Sequence, residues 1–160
     1  MKKFFSLLFA AAFFALCLTA CGGGSDTASY NLNDIVTAVE AANPVSNPRD
    51  VDDNFIQLDM LLTADNIEEY AGKVSNDQGN SALIVAIKAV EGKASAVQEE
   101  LNAYKTSISS GGLYAEFADM EAMAADARIV VKGDYLVMVV ANTEGADYAE
   151  IDTALNDALK

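Results

Sequence analysis

The 160-residue sequence predicts an α+β fold, an antiparallel sheet of about four strands with helices packed mainly on one face. Three observations carry that expectation. Ala82-Leu83-Ile84-Val85-Ala86-Ile87 is a nearly unbroken apolar run, the pattern of a strand buried on both faces at the centre of a sheet. Ile129-Val130-Val131-Lys132 and the run from Tyr135 to Val140 are rich in β-formers and separated only by Gly133-Asp134, which reads as a hairpin. Before and after these runs, apolar residues recur at helical spacing.

The elements follow in order. Leu32, Ile35, Val36 and Val39 fall at i, i+3, i+4 and i+7, with Asn31 as N-cap and Asp34 in the first turn, and Asn43-Pro44 ends the helix. The stretch from Val45 to Leu62 is assigned no element, and the period of residues 54–62 is left open. Thr63 to Glu69 reads as a helical turn, Tyr70 to Ser75 as a strand, and Asn76-Asp77-Gln78-Gly79-Asn80 as a run of turn formers before the apolar strand. After Gly92, Val97, Leu101, Tyr104 and Ile108 mark an amphipathic helix that stops at Ser109-Ser110-Gly111-Gly112. A shorter helix uses Tyr114, Phe117, Met120 and Met123, a spacing that more commonly means a buried face than an exposed partner groove. Beyond the hairpin, Asp147 to Leu159 forms a closing helix with Tyr148, Ile151, Leu155 and Leu159 on one side.

The amino terminus is of a different kind. Met1-Lys2-Lys3 is followed by an apolar run from Phe4 to Leu18 broken only by Ser6, the shape of a signal peptide. As a helix that run spans about 22 Å at 1.5 Å per residue, short of the roughly 30 Å hydrocarbon core. Leu18-Thr19-Ala20-Cys21 resembles the lipobox of bacterial lipoproteins, and the resemblance implies that Cys21 becomes the first mature residue and carries a diacylglyceryl thioether, while Cys17 is discarded. Two acyl chains, at about 0.8 kcal/mol per buried methylene, hold a protein stably on a bilayer. Gly22 to Ser29 then reads as a flexible tether with a mean reach of about 15 Å. The sequence thus divides into a signal peptide at 1–20, a lipidated cysteine and Gly/Ser tether at 21–30, and one α+β domain at 31–160.

Composition excludes more than it assigns. The chain carries 10 Lys and Arg against 24 Asp and Glu, a formal charge of −14, and setting aside the first twenty residues with Lys2 and Lys3 takes it to −16. An acidic surface repels phosphate backbones and anionic headgroups, so neither nucleic acid nor a polybasic membrane contact is expected. Histidine is absent, which removes Ser-His-Asp, Cys-His and every His-ligated metal site. Cys17 and Cys21 both lie at the amino terminus, so the domain has no disulfide framework and no cysteine zinc site.

Taken together, the lipobox cysteine and glycine tether, Asn31-Leu32-Asn33-Asp34-Ile35, Ile67-Glu68-Glu69-Tyr70-Ala71 and Ile129-Val130-Val131-Lys132-Gly133-Asp134-Tyr135-Leu136 resemble a family of low-GC Gram-positive bacterial lipoproteins that carry the domain of unknown function 4358. The resemblance runs from about Asn31 to Leu159. It implies a fold and a location, and lends no activity and no site residue beyond Cys21.

The chemistry left to such a chain lies with carboxylates, Ser/Lys pairs and oxygen-ligated metals. No Ser stands three residues before a Lys. The adjacent acids Asp52-Asp53, Glu68-Glu69 and Glu99-Glu100 read as solvated faces, because neighbours on a helix diverge by about 100°. Asp50, Asp52 and Asn54 place hard oxygens at alternate positions, as a calcium loop begins, but Phe55 and Leu61 stand where an EF-hand needs Gly and Glu, leaving at most a surface cation site. The expected function is therefore that of a membrane-anchored extracytoplasmic lipoprotein acting by binding or interaction at the cell envelope, without catalysis. A carboxylate-dependent envelope hydrolase and a calcium-stabilised structural module are the alternatives. No cofactor is called for. The expected partners are the membrane, through the lipid on Cys21, and an unidentified envelope protein or small ligand.

Overall fold

The computed structural model describes residues 29–111, 115–145 and 147–160. The expected signal peptide at 1–20, Cys21, the expected tether as far as residue 28, and Tyr114 lie outside the described residues. The described elements are α1 (Leu32–Ala42), β1 (Pro48–Asp50), a π-helical turn (Phe55–Asp59), a 3-10 turn (Ala64–Asn66), β2 (Ile67–Ser75), β3 (Leu83–Ala89), α2 (Ala94–Ile108), a 3-10 turn (Ala115–Phe117), α3 (Ala118–Ala125), β4 (Arg128–Lys132), β5 (Tyr135–Val140) and α4 (Tyr148–Ala158). The strands form one sheet in the order β1-β2-β3-β5-β4, antiparallel throughout. The class is α+β, as the sequence predicts.

Local chemistry accounts for the elements that frame the sheet. Asn31 caps α1, its side-chain oxygen accepting from the backbone N–H groups of Asn33 (2.9 Å) and Asp34 (3.2 Å). Asp147 does the same for α4, accepting from Ala149 at 2.8 Å. Gly133 opens the β4–β5 hairpin at φ 60°, a left-handed conformation that glycine adopts without steric cost.

Side-chain alternation divides the sheet into two cores. Leu83, Val85 and Ile87 of β3, with Leu136, Met138 and Val140 of β5, face Val97 and Leu101 of α2, Ala124 of α3, and Phe55, Ile56 and Met60. Ile84 and Ala86, with Tyr135, Val137 and Val139, face Leu32, Ile35, Val36 and Val39 of α1 and Ile151, Leu155 and Leu159 of α4. Helices therefore cover both faces of the sheet, where the sequence suggested mainly one. The reason is the two central strands themselves: every residue of β5, and all of β3 except Lys88, is buried, so neither face can be left to water.

Three further details differ from the sequence reading. The sheet has a fifth strand, β1, which is three residues long, begins with Pro48 and sits at the edge, where a missing N–H costs no ladder bond. The helical turn expected over Thr63 to Glu69 is confined to Ala64–Asn66, and β2 begins at Ile67 with a bulge between Ile67 and Glu69 that breaks its alternation. Residues 55–59 wind as a π-helical turn closed by Met60 N–H to Phe55 O at 2.9 Å, which is why residues 54–62 match neither a 3.6 nor a 2.0 period.

The ends of the two central layers are locked by a pair of asparagines. Asn43, fully buried after α1, donates from Nδ2 to the Val140 carbonyl (2.9 Å) and accepts at Oδ1 from the Asn142 N–H (2.9 Å). Asn142 Nδ2 in turn donates to the Pro44 carbonyl at 3.0 Å. Asn43→Ala would leave the Val140 carbonyl and the Asn142 N–H unpaired in the interior, so we expect a loss of about 2–4 kcal/mol, read as a lower denaturant midpoint at unchanged slope.

Candidate functional site

The feature that stands out from this frame is an incomplete sheet edge. β1 pairs only with the far end of β2, Pro48 to Asp50 lying opposite Ser75 to Lys73. One further bond, Val51 N–H to the Gly72 carbonyl at 2.9 Å, ends the contact. The chain then turns inward, because Val51 is buried over Gly72, and it does not return to the edge. On that side the Ile67–Ala71 half of β2 has no partner strand among the described residues. Antiparallel alternation carries the outward orientation of Gly72 back to Tyr70, so Tyr70 turns its N–H and C=O toward the open side.

Facing this open edge is the turn that follows Val51. Asp52 Oδ1 accepts from Phe55 N–H at 2.8 Å and Asp52 O from Ile56 N–H at 3.0 Å, which starts the π-helical turn. Between turn and strand lies a cleft of about 380 Å³. Ile56, Ala64 and Ile67 give it apolar lining, and Asp53, Gln57, Glu68, Glu69 and Tyr70 give it polar lining. Beyond Gln57 the turn carries two large exposed apolar side chains, Leu58 at 69% and Leu61 at 74%. Leu61 has φ 57°, the left-handed region that a leucine occupies only at a cost.

Tyr70 Oη donates to Asp53 Oδ1 at 2.5 Å. That hydrogen bond to a carboxylate, with burial and the charges of Asp53 and Asp52 adding to it, pushes the phenol up to about 12. Tyr70 thus keeps its proton and serves as a hydrogen-bond donor to Asp53. Glu68 pairs with Lys88 at 2.6 Å. The Glu68 hydrogen bond raises the Lys88 ammonium above its ordinary value, and Glu69, which lies opposite Lys88 in the register, adds to that negative field. Asp53, Glu68 and Glu69 are all solvent-exposed, and the apolar enclosure that a catalytic acid requires is built around none of them.

The residues singled out from sequence are distributed as follows. Asp50 lies in β1, Asp52 caps the π-helical turn, and Asn54 is exposed at the start of that turn. No group of three or more acidic or thiol side chains is placed to hold a metal ion among the described residues. Glu68 and Glu69 do line one cleft, because they sit at a strand bulge and not on a helix. Of the Tyr114 to Met123 stripe, Phe117 is 38% exposed and Met120 and Met123 are half-buried, so it is only partly a core face. The open edge itself escaped sequence reading, since its signal is a missing neighbour and no local pattern encodes that.

The cleft shares one end of the sheet with the place where the described chain begins. Glu69 lies opposite Lys88, Lys88 opposite Tyr135, and Tyr135 opposite Lys132. Tyr30 stacks edge-on against Tyr135 (5.1 Å between centroids), donates to the Leu159 carbonyl at 3.2 Å, and lies under the Lys132 ammonium. A second concavity, of about 650 Å³ between α1 and α4, is walled largely by alanines, and its polar residues Glu150, Thr153 and Asp157 are exposed. No helix among the described residues is long and apolar enough to cross a membrane. A family model described as "Domain of unknown function (DUF4358)" matches residues 41–141. No curated protein and no solved structure matches the chain.

Proposed function

Since the chain belongs to the DUF4358 family, whose domain comes with no assigned activity, we propose that it is a lipid-anchored lipoprotein of a Gram-positive envelope whose α+β domain works on the extracytoplasmic side by binding, without catalysis. The observation that carries the reading is Leu18-Thr19-Ala20-Cys21 standing directly after the Phe4 to Leu18 apolar run and before a triple glycine. The strong acidity supports a lipid anchor over an electrostatic one, since the mature chain and an anionic leaflet repel each other. The binding half of the proposal is supported by the cleft at the β2 edge, where carboxylates are exposed, the one tyrosine is held protonated, and an apolar lining lies open to solvent.

Metabolic labelling with radioactive palmitate in the native host tests the anchor. Wild-type protein should incorporate label and partition into the detergent phase of a Triton X-114 extract, and Cys21→Ala should incorporate none. Equal labelling of both, or an unlabelled wild type, would refute the anchor.

A further inference from the structure

We propose that the open half of the β2 edge is a docking site for an extended polypeptide segment in which Lys or Arg side chains alternate with apolar ones, adding as a strand beside Ile67–Ala71 and continuing the line of β1. The proposal rests on the reading of the domain as a binding module and names its partner. A strand edge presents a row of unsatisfied N–H and C=O groups, and proteins ordinarily cover, charge or shorten it. Here β1 covers Lys73–Ser75 and stops, and the remaining half faces a cleft instead of a neighbour. Backbone addition to such an edge supplies affinity, and pockets for alternate side chains supply specificity.

The side-chain chemistry selects the occupant. Ala64 and Ile67, with the buried Ile56 behind them, offer an apolar seat for one side chain of the incoming strand. Among the described residues, Glu68 and Glu69 share the single ammonium of Lys88, and Asp53 is bonded only to the neutral Tyr70 hydroxyl, so three carboxylates at this edge face one cation and a Lys or Arg of the incoming strand supplies the charge that is missing. Leu58 and Leu61, exposed on the turn and just after it, lie outside the lining of the cleft and take no part in the seat. The same acidity argues against a lipid surface as the occupant. The position fits a partner in the envelope: the edge lies at the end of the sheet where Tyr30 pins the start of the domain, two strand spacings (about 10 Å) across from Tyr135.

The test uses the full chain in neutral detergent micelles and capped octapeptides of alternating Lys and Val. The Lys/Val peptide should bind and protect the Tyr70 amide from hydrogen exchange. A Glu/Val peptide, and a Lys/Val peptide N-methylated at alternate residues, should each bind at least tenfold more weakly, because the first reverses the charge and the second keeps it while removing the ladder donors. Glu69→Lys, an exposed change that leaves the core untouched, should weaken the Lys/Val peptide by about the same factor. Leu61→Asn, which tolerates the left-handed backbone and lies outside the cleft lining, should raise the midpoint of thermal unfolding and leave Lys/Val peptide binding unchanged. Equal binding of the N-methylated peptide, exchange protection confined to the α1–α4 groove, or no binding would overturn the proposal. So would protection of the Tyr70 amide on phosphatidylcholine vesicles without peptide, which would make lipid the occupant. Palmitate labelling is unaffected by any of these results, so loss of the peptide site and loss of the anchored-module reading are told apart.

Discussion

Val85→Asp is expected to leave the domain unfolded at room temperature. Val85 has no exposed surface, lies in the central strand opposite Gly72 on one side and Met138 on the other, and points into the layer between the sheet and α2. The substitution removes about 1.5–3 kcal/mol of apolar burial and leaves a carboxyl group among Leu83, Ile87, Leu101 and Leu136. An unpaired buried charge costs several kcal/mol more, whether the group ionises there or is held protonated without a partner. Together these reach the full stability of about 5–15 kcal/mol typical of a small domain. Val131→Asp serves as the control: it lies on the edge strand β4, is 38% exposed, and should shift the melting midpoint little. Loss of the cooperative melt in the first and retention in the second is the expected pair of results. A cooperative melt in Val85→Asp near the wild-type midpoint would mean that β3 is not the centre of the sheet.

The same strand shows what a sequence of this kind discloses. Ala82 to Ile87 and Tyr135 to Val140 were legible because a strand buried on both faces must be apolar at every position, and nothing else of that length looks the same between turn formers. α1 was legible because Asn31 and the Leu32, Ile35, Val36, Val39 spacing agree on one start and one face. The Gly133-Asp134 turn was legible because a two-residue hairpin admits few residue pairs. That both faces are covered was implied by the same apolar runs, yet the periodicity of α1, α2 and α4 does not say on which side each helix lands. β1 was illegible: it has three residues, none buried, and exists only because Ser75, Val74 and Lys73 offer it an edge. The candidate site was less legible still, because Asp53 and Gln57 look like ordinary surface residues until the turn at Phe55–Asp59 sets them beside the uncovered edge that carries Glu69 and Tyr70.

How that edge comes to be left open turns on one glycine, and Gly72→Ala should be among the most damaging single-methyl additions in the chain. A Cβ at residue 72 would stand 2.5 Å from the Ile84 carbonyl oxygen, 2.9 Å from Val51 Cγ2 and 3.1 Å from the Val85 Cα. The first and third neighbours are backbone of the central strand and have nowhere to go. Only Val51 can yield, and its retreat would uncover a buried residue and strain the 2.9 Å bond from Val51 N–H to the Gly72 carbonyl. Overpacking of this kind costs about 1–3 kcal/mol and more where backbone must shift, so a loss of about 3 kcal/mol is expected, with early hydrogen exchange at the Val51 amide as its local signature. Gly79→Ala, where an added Cβ meets nothing within 4 Å, should leave the denaturant midpoint within about 0.5 kcal/mol of wild type. Because Val51 packs over Gly72 and draws the chain off the sheet at that point, the glycine sets both the length of β1 and the length of the edge that β1 leaves uncovered. An alanine at residue 72 that left stability and Val51 protection intact would show that the departure of the chain from the edge has another cause, and with it that the cleft beside Tyr70 is not built by this contact.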